Sequence, residues 1–212
     1  MSTAVATVES EDHGHGDHGH GTGVSNAKMA MWMFLSSEAL FFGAFIASYL
    51  LYRSRRVVVA DAKTPRDIFN IPFTSATSFI LLMSSLTMVL ALAAIQRNDI
   101  RRFKLWLLAT AVFGSIFIGG QIYEFTEFYR EGVQLSSSLQ SSTFFVLTGL
   151  HGAHVTVGII WLMSLLGLSN SRQFTSKDSE KIEIAGLYWH FVDVVWIVIF
   201  TVIYLMPQGV GK

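Results

Sequence analysis

The sequence predicts an all-α integral membrane protein, a bundle of five transmembrane helices, and three observations predict it. Apolar residues make up 51% of the chain and charged residues only 14%, against about 25% charged in soluble domains. Five apolar runs are each long enough to cross a bilayer core of about 30 Å, which asks for about 20 helical residues. The charges gather between these runs rather than along them. A membrane barrel would instead show short alternating segments broken by turns.

Residues 1–27 differ in kind from the rest. In "EDHGHGDHGHGTG", His13, His15, His18 and His20 are spaced by Gly and Asp, with no apolar run that would make a signal peptide. The composition predicts a disordered, solvated tail. Weak metal capture by the four imidazoles is the alternative. Residues 28–207 form the predicted transmembrane domain, and 208–212 a short C-terminal tail.

The first span, 29–52, is bracketed by Lys28 and Arg53. It carries Glu38, which at 1.5 Å per residue lies about 15 Å beyond Lys28, near the midplane. The second span, 73–95, holds no charge, and a short turn carrying Arg97, Arg101, Arg102 and Lys104 leads into the third, 104–126. Near the third span's far end, Glu124 and Glu127 fall about 30 Å from Lys104. They are expected as surface carboxylates, with Arg130 as a candidate partner. In the fourth span, 142–168, "LTGLHGAHVTVG" places His151 and His154 within a few Å of the midplane.

The last span, 185–206, contains "YWHFVDVVWIVIF". Asp193 sits about 12 Å and His190 about 8 Å inside it. Trp189 and Trp196, seven apart, share one helix face and are expected as interfacial anchors. Small residues at Gly149, Gly152 and Ala153, and at Ser115 and Gly119, are expected where backbones approach closely.

Glu38, His151, His154 and Asp193 are thus expected in one polar layer, with His190 beside it. Three accounts compete for such a layer. The groups satisfy one another, since an intramembrane charge costs about 3 kcal/mol by insertion scales. They handle protons, as buried carboxylates and imidazoles do in pumps. Or they ligate: His151 and His154 at i, i+3 with His190 would offer three nitrogens to a metal, and His151 with His190 would offer axial ligands to a b-type haem.

Other classes are excluded more firmly. The 15 basic and 15 acidic residues cancel, so charge argues for no nucleic acid. The absence of cysteine removes thiolate sites and thiol nucleophiles. No phosphate loop, HExxH or nucleophile elbow is present, so a free-standing catalyst is not expected. Orientation stays open on charge: eight Lys and Arg fall on the side of Lys28 and seven on the other.

Five blocks carry a family resemblance: "MWMFLSSEALFFGAFIASY" at 31–49, "PFTSATSFILLMSS" at 72–85, "GQIYEFTEF" at 120–128, "SSTFFVLTGLHGAHVTVG" at 141–158 and "AGLYWHFVDVVWIVIFTVIYLMP" at 185–207. In this order they resemble subunit III of the haem-copper respiratory oxidases, of the cytochrome c oxidase type and the short five-helix bacterial form. The resemblance implies an accessory subunit without a redox centre of its own, haem and copper residing in partner subunits. It implies packing against catalytic subunit I, with subunit II and small subunits nearby, support of proton uptake, and bound phospholipid.

It further implies a place in the bacterial inner membrane with a cytoplasmic N-terminus. Glu38 would be the family's buried glutamate, and His151, His154, His190 and Asp193 its buried polar network. The short form lacks two helices that wall a lipid cleft in longer members, and the loop "RSRRVVVADAKTPRDIFNI" has no counterpart in the resemblance. Subunit III of a quinol oxidase is the nearest rival. A proton-coupled transporter or a b-haem anchor is the alternative of another class.

Overall fold

The computed structural model describes residues 25–54, 70–132, 139–171 and 174–205. The histidine-rich tail, with His13, His15, His18 and His20, and the C-terminal tail lie outside the described residues. So do the greater part of the loop after the first span and the side chains of its four arginines, Arg53, Arg55, Arg56 and Arg66.

Five α-helices are present among the described residues: α1 (Asn26–Ser54), α2 (Ile71–Gln96), α3 (Ile100–Arg130), α4 (Leu139–Ser171) and α5 (Ser179–Phe200), the last running into a π-helical turn at Thr201–Leu205. Each of the five expected spans falls on one of them, and each helix is long and apolar enough to cross a membrane. Four helices exceed the expected spans by one to four residues at each end. The fifth begins six residues early, because hydropathy marks only the part that meets lipid. Its polar first turns continue the helix outward: Glu180 accepts from Ser25 Oγ, and Glu183 pairs with Lys28 at 2.8 Å. Between them Ile182 is fully buried.

Local chemistry sets the boundaries. Asn70 caps α2 by accepting from the Phe73 amide, with proline in the first turn, where its missing N–H is harmless. The chain leaves α2 through Asn98, whose φ of 59° is left-handed, a conformation asparagine tolerates better than most residues. Asp99 then caps α3 through the Arg102 amide at 3.1 Å. These two side chains turn α2 into α3 within three residues.

α5 is the hub of the bundle, packing on α1, α2 and α4, while α3 closes the far side against α2 and α4. α1 packs principally on α4 and α5, away from its sequence neighbour. Two indoles fix α5 on α2: Trp189 Nε1–H donates to Ser84 Oγ at 2.9 Å, and Trp196 Nε1–H to Ser78 Oγ at 2.8 Å. Both tryptophans are buried, which corrects their expected role as interfacial anchors.

Of the small residues expected at close approaches only Gly152 makes one among the described residues, and Gly114 and Gly158 make others. A Cβ on Gly114 or Gly158 would lie 2.7 or 2.8 Å from the Trp189 ring, and one on Gly152 would strike Gln121, whereas Gly119 and Gly149 have open space. Ala153 and Ser115 are exposed. Gly158→Ala is therefore expected to destabilise by about 1–3 kcal/mol through overpacking. Gly149→Ala should be neutral or mildly stabilising, since glycine costs a helix interior about 0.5–1 kcal/mol. Thermal midpoints of the two solubilised variants, if equal, would refute the packing assignment.

Candidate functional site

The expected polar layer divides into three separate groups. Glu38 on α1 meets His154 on α4, with Oε2 3.1 Å from Nε2. His154 Nδ1 lies 2.8 Å from the Leu150 carbonyl oxygen. That oxygen can only accept, so Nδ1 carries a hydrogen. The Nε2 to Oε2 contact then needs one further proton, borne by either partner, and the pair as a whole is neutral in both arrangements. Tyr188 on α5 donates to the His154 carbonyl at 2.9 Å, and Phe42 packs edge-on against the imidazole. Each member of the pair keeps about 20% of its side-chain surface open, so the pair sits at the rim of the bundle.

His190 and Asp193, three residues apart on α5, form the second group with Ser85 of α2. Ser85 Oγ is 2.5 Å from His190 Nδ1 and lies within reach of the Asp193 carboxyl. At the present geometry neither Asp193 oxygen completes a hydrogen bond among the described residues, although the residue is only 3% exposed. If His190 donates to Ser85, the serine hydroxyl is free to turn toward Asp193. If Ser85 donates to His190, it is not. One hydroxyl thus couples the imidazole tautomer to the carboxylate.

His151 stands alone. It is fully buried, stacked on Trp196 at 4.8 Å and edge-on to Phe117, and neither ring nitrogen has a partner among the described residues. His151 and His154 share a helix side only loosely, because residues three apart are offset by about 60° around the axis. One ring therefore turns to α3 and α5 and the other to α1. The three histidines do not converge, and no group of three or more metal-ligating side chains forms among the described residues. The three-nitrogen metal set and the axial pair for haem are thereby corrected: His151 and His190 serve different walls of the bundle.

Glu124 and Glu127 also part company. Glu127 faces outward, 3.9 Å from Arg130. Glu124 turns inward, accepting from Thr74 Oγ1 and, at 3.5 Å, from the buried Tyr204 hydroxyl. It ties α3 to the start of α2 and the π-helical end of α5, rather than serving as a surface carboxylate.

Sequence reasoning missed Ser78, Ser84 and Ser85 as the receiving row for α5. It also missed Gln121, whose amide donates to the Thr148 carbonyl at 2.6 Å. The one available signal was the density of serine and threonine in α2, which is uninformative alone because such hydroxyls usually bond their own helix.

The carboxylate and imidazole positions invite comparison with known families. Residues 3–208 match the family described as Cytochrome c oxidase subunit III. The chain belongs to that family. Among relatives of subunit III, the Quinol oxidase subunit 3 of Bacillus subtilis is 38% identical over 85% of this chain and 87% of its own length. The Cytochrome c oxidase subunit 3 of Alkalihalophilus pseudofirmus is 40% identical over 87% of this chain and 88% of its own. That of Bacillus sp. PS3 is 35% identical over 85% and 86%. The chain is thus a multi-pass membrane subunit of the haem-copper oxidase type, and relatives named for both electron donors lie at similar distance.

Proposed function

We propose that this chain is the accessory, non-catalytic subunit III of a proton-pumping terminal oxidase, packed against the haem- and copper-bearing subunit I in a bacterial inner membrane. Near-full-length kinship with named oxidase subunits carries this reading. The chain itself holds no redox centre. Its N-terminus faces the cytoplasm, subunit II and small subunits complete the assembly, and phospholipid fills the space left by the two helices of longer members.

Within this role the Glu38 and His154 pair shares one proton at the rim, beside subunit I. The proton passes between Oε2 and Nε2 without changing the charge of the pair, so the pair is held in the membrane with no net charge. His190, Ser85 and Asp193 support it as a second buried acid-base group, and His151 as a packed polar residue. For the electron donor we propose cytochrome c. The Bacillus subtilis quinol oxidase relative favours a quinol as the second reading.

The test is to tag the C-terminus, solubilise native membranes gently, and record subunit masses and a reduced-minus-oxidised spectrum. A large haem- and copper-bearing subunit is expected to co-purify, with a copper-containing subunit II if cytochrome c is the donor and a copper-free one if quinol is. Recovery of the chain alone, stable and colourless, would overturn the assignment.

A further inference from the structure

By the order of the spans, Ser25, the α2 to α3 turn and the link between α4 and α5 share one membrane face. Side-chain contacts join them there: Lys28 pairs with Glu183, Ser25 donates to Glu180, Lys104 donates to Asn170 at 2.7 Å, and Phe103 stacks on Phe174. This face is basic, with eight Lys and Arg against four carboxylates, Asp99, Asp178, Glu180 and Glu183. Those four are already engaged, Asp99 with Arg102 and Asp178 with Lys181 at 3.3 and 2.8 Å. Arg97, Arg101 and Lys177 are exposed and have no acidic partner among the described residues.

The balancing charge lies in the chain itself. Residues 1–24 hold Glu9, Glu11, Asp12 and Asp17 and neither Lys nor Arg. They lead into α1, whose first turn lies at this same face. α1 packs on α5 and α5 on α2, so two interaxial spacings of about 8–10 Å each separate the start of α1 from the turn. Asp12 stands thirteen residues before Ser25, and a glycine-rich chain of that length spans about 20 Å. Tethering also keeps the carboxylates near the turn at an effective concentration of roughly millimolar order, an advantage that a free acidic peptide lacks.

We propose that the acidic N-terminal segment, residues 9–17, docks on the cationic α2 to α3 turn, its carboxylates pairing with Arg97 and Arg101. Guanidinium matches carboxylate in bidentate geometry. The contact is ionic and exposed, so salt weakens it. His13, His15, His18 and His20 lie among and just beyond the acids. Around the turn they meet Arg97, Asp99, Arg101, Arg102, Lys104 and Lys177, of which only Asp99 is acidic, and it is paired. Protonation of the imidazoles below about pH 6 therefore adds repulsion and releases the segment. The proposal rests on the membrane topology and not on the oxidase assignment, so either can fail without the other.

The chain has no cysteine, so Ser10→Cys with Gln96→Cys accepts one pair of spin labels. Pulsed dipolar spectroscopy then reads the distance from segment to turn in whatever complex is purified, with single-cysteine variants setting the background. A short-distance population is expected at about pH 8 and low salt, and it should shrink in about 0.5 M salt. Neutralising the segment (Glu9→Gln, Glu11→Gln, Asp12→Asn, Asp17→Asn) or the turn (Arg97→Gln with Arg101→Gln) should lower it about fivefold, as loss of several exposed ion pairs predicts. Arg130→Gln, at the opposite face, should leave it unchanged. Acidification to about pH 5.5 should lower it too, but not in a His13→Asn, His15→Asn, His18→Asn, His20→Asn variant.

Absence of the short-distance population, or an unchanged one in both neutralised variants, would overturn the proposal. So would loss of a partner subunit from the Arg97→Gln/Arg101→Gln variant with the distances intact, which would mark the turn as a contact for another chain. Acid release that persists without the histidines would overturn the role given to them.

Discussion

Trp189→Ala is expected to be among the most damaging truncations in the chain, by about 3–5 kcal/mol. Lipid tails are as apolar as the indole, so the loss is not one of hydrophobic driving force but of packing. The ring lies against Gly114 of α3 and Gly158 of α4 while donating to Ser84 of α2, so one side chain of α5 touches three other helices. Glycines cannot swell to fill the void. Trp189→Phe should be intermediate, keeping much of the volume and losing a hydrogen bond worth about 1 kcal/mol. Trp32→Ala, at a position 57% exposed, should stay within about 0.5 kcal/mol of wild type. Thermal midpoints of the solubilised variants decide it: if Trp189→Ala proves no worse than Trp32→Ala, α5 is not the hub described.

His154→Ala is expected to lower retention of the chain in its complex, at a cost approaching about 3 kcal/mol. The imidazole is the one hydrogen-bond partner of Glu38 among the described residues, and its removal strands a carboxyl group near the midplane. The sharper expectation is the cycle. Glu38→Gln in the His154→Ala background should recover part of the loss, because an unpaired amide is cheaper to bury than an unpaired carboxylate.

Subunit ratios and the haem spectrum, followed against temperature, give the readout. Retention should fall before the spectrum changes. Double and single variants of equal retention would show that Glu38 and His154 do not act as a pair, and a changed spectrum with intact assembly would point to a role in the redox chemistry instead.

The spans were legible because lipid imposes a length and a polarity that few other environments impose. The position of each ionisable residue along its helix was legible too, since rise per residue is nearly constant. Azimuth was not. The expected depth puts Glu38, His151, His154 and Asp193 at one level, but rotation about each axis decides that His154 faces α1 while His151 faces Trp196.

The glycines teach the same lesson: Gly114 and Gly158 meet Trp189 while Gly119 and Gly149 meet nothing. Only packing tells them apart. Glu124 was misplaced for a related reason, since its distance along the helix brings it to the surface level while Thr74 and Tyr204 draw it inward.

The preference of α1 for α4 and α5 has a consequence for biosynthesis. Glu38 and His154 are 116 positions apart, and at about 5–20 residues per second of synthesis roughly 6–23 s separate their emergence from the ribosome. Throughout that interval α1 has been made without the His154 imidazole that its acid meets in the folded chain. The Glu38 carboxyl gains its partner only when the fourth helix arrives. The delay gives quality control a natural checkpoint, because a chain truncated before His154 would display an unmet carboxyl group in its first helix.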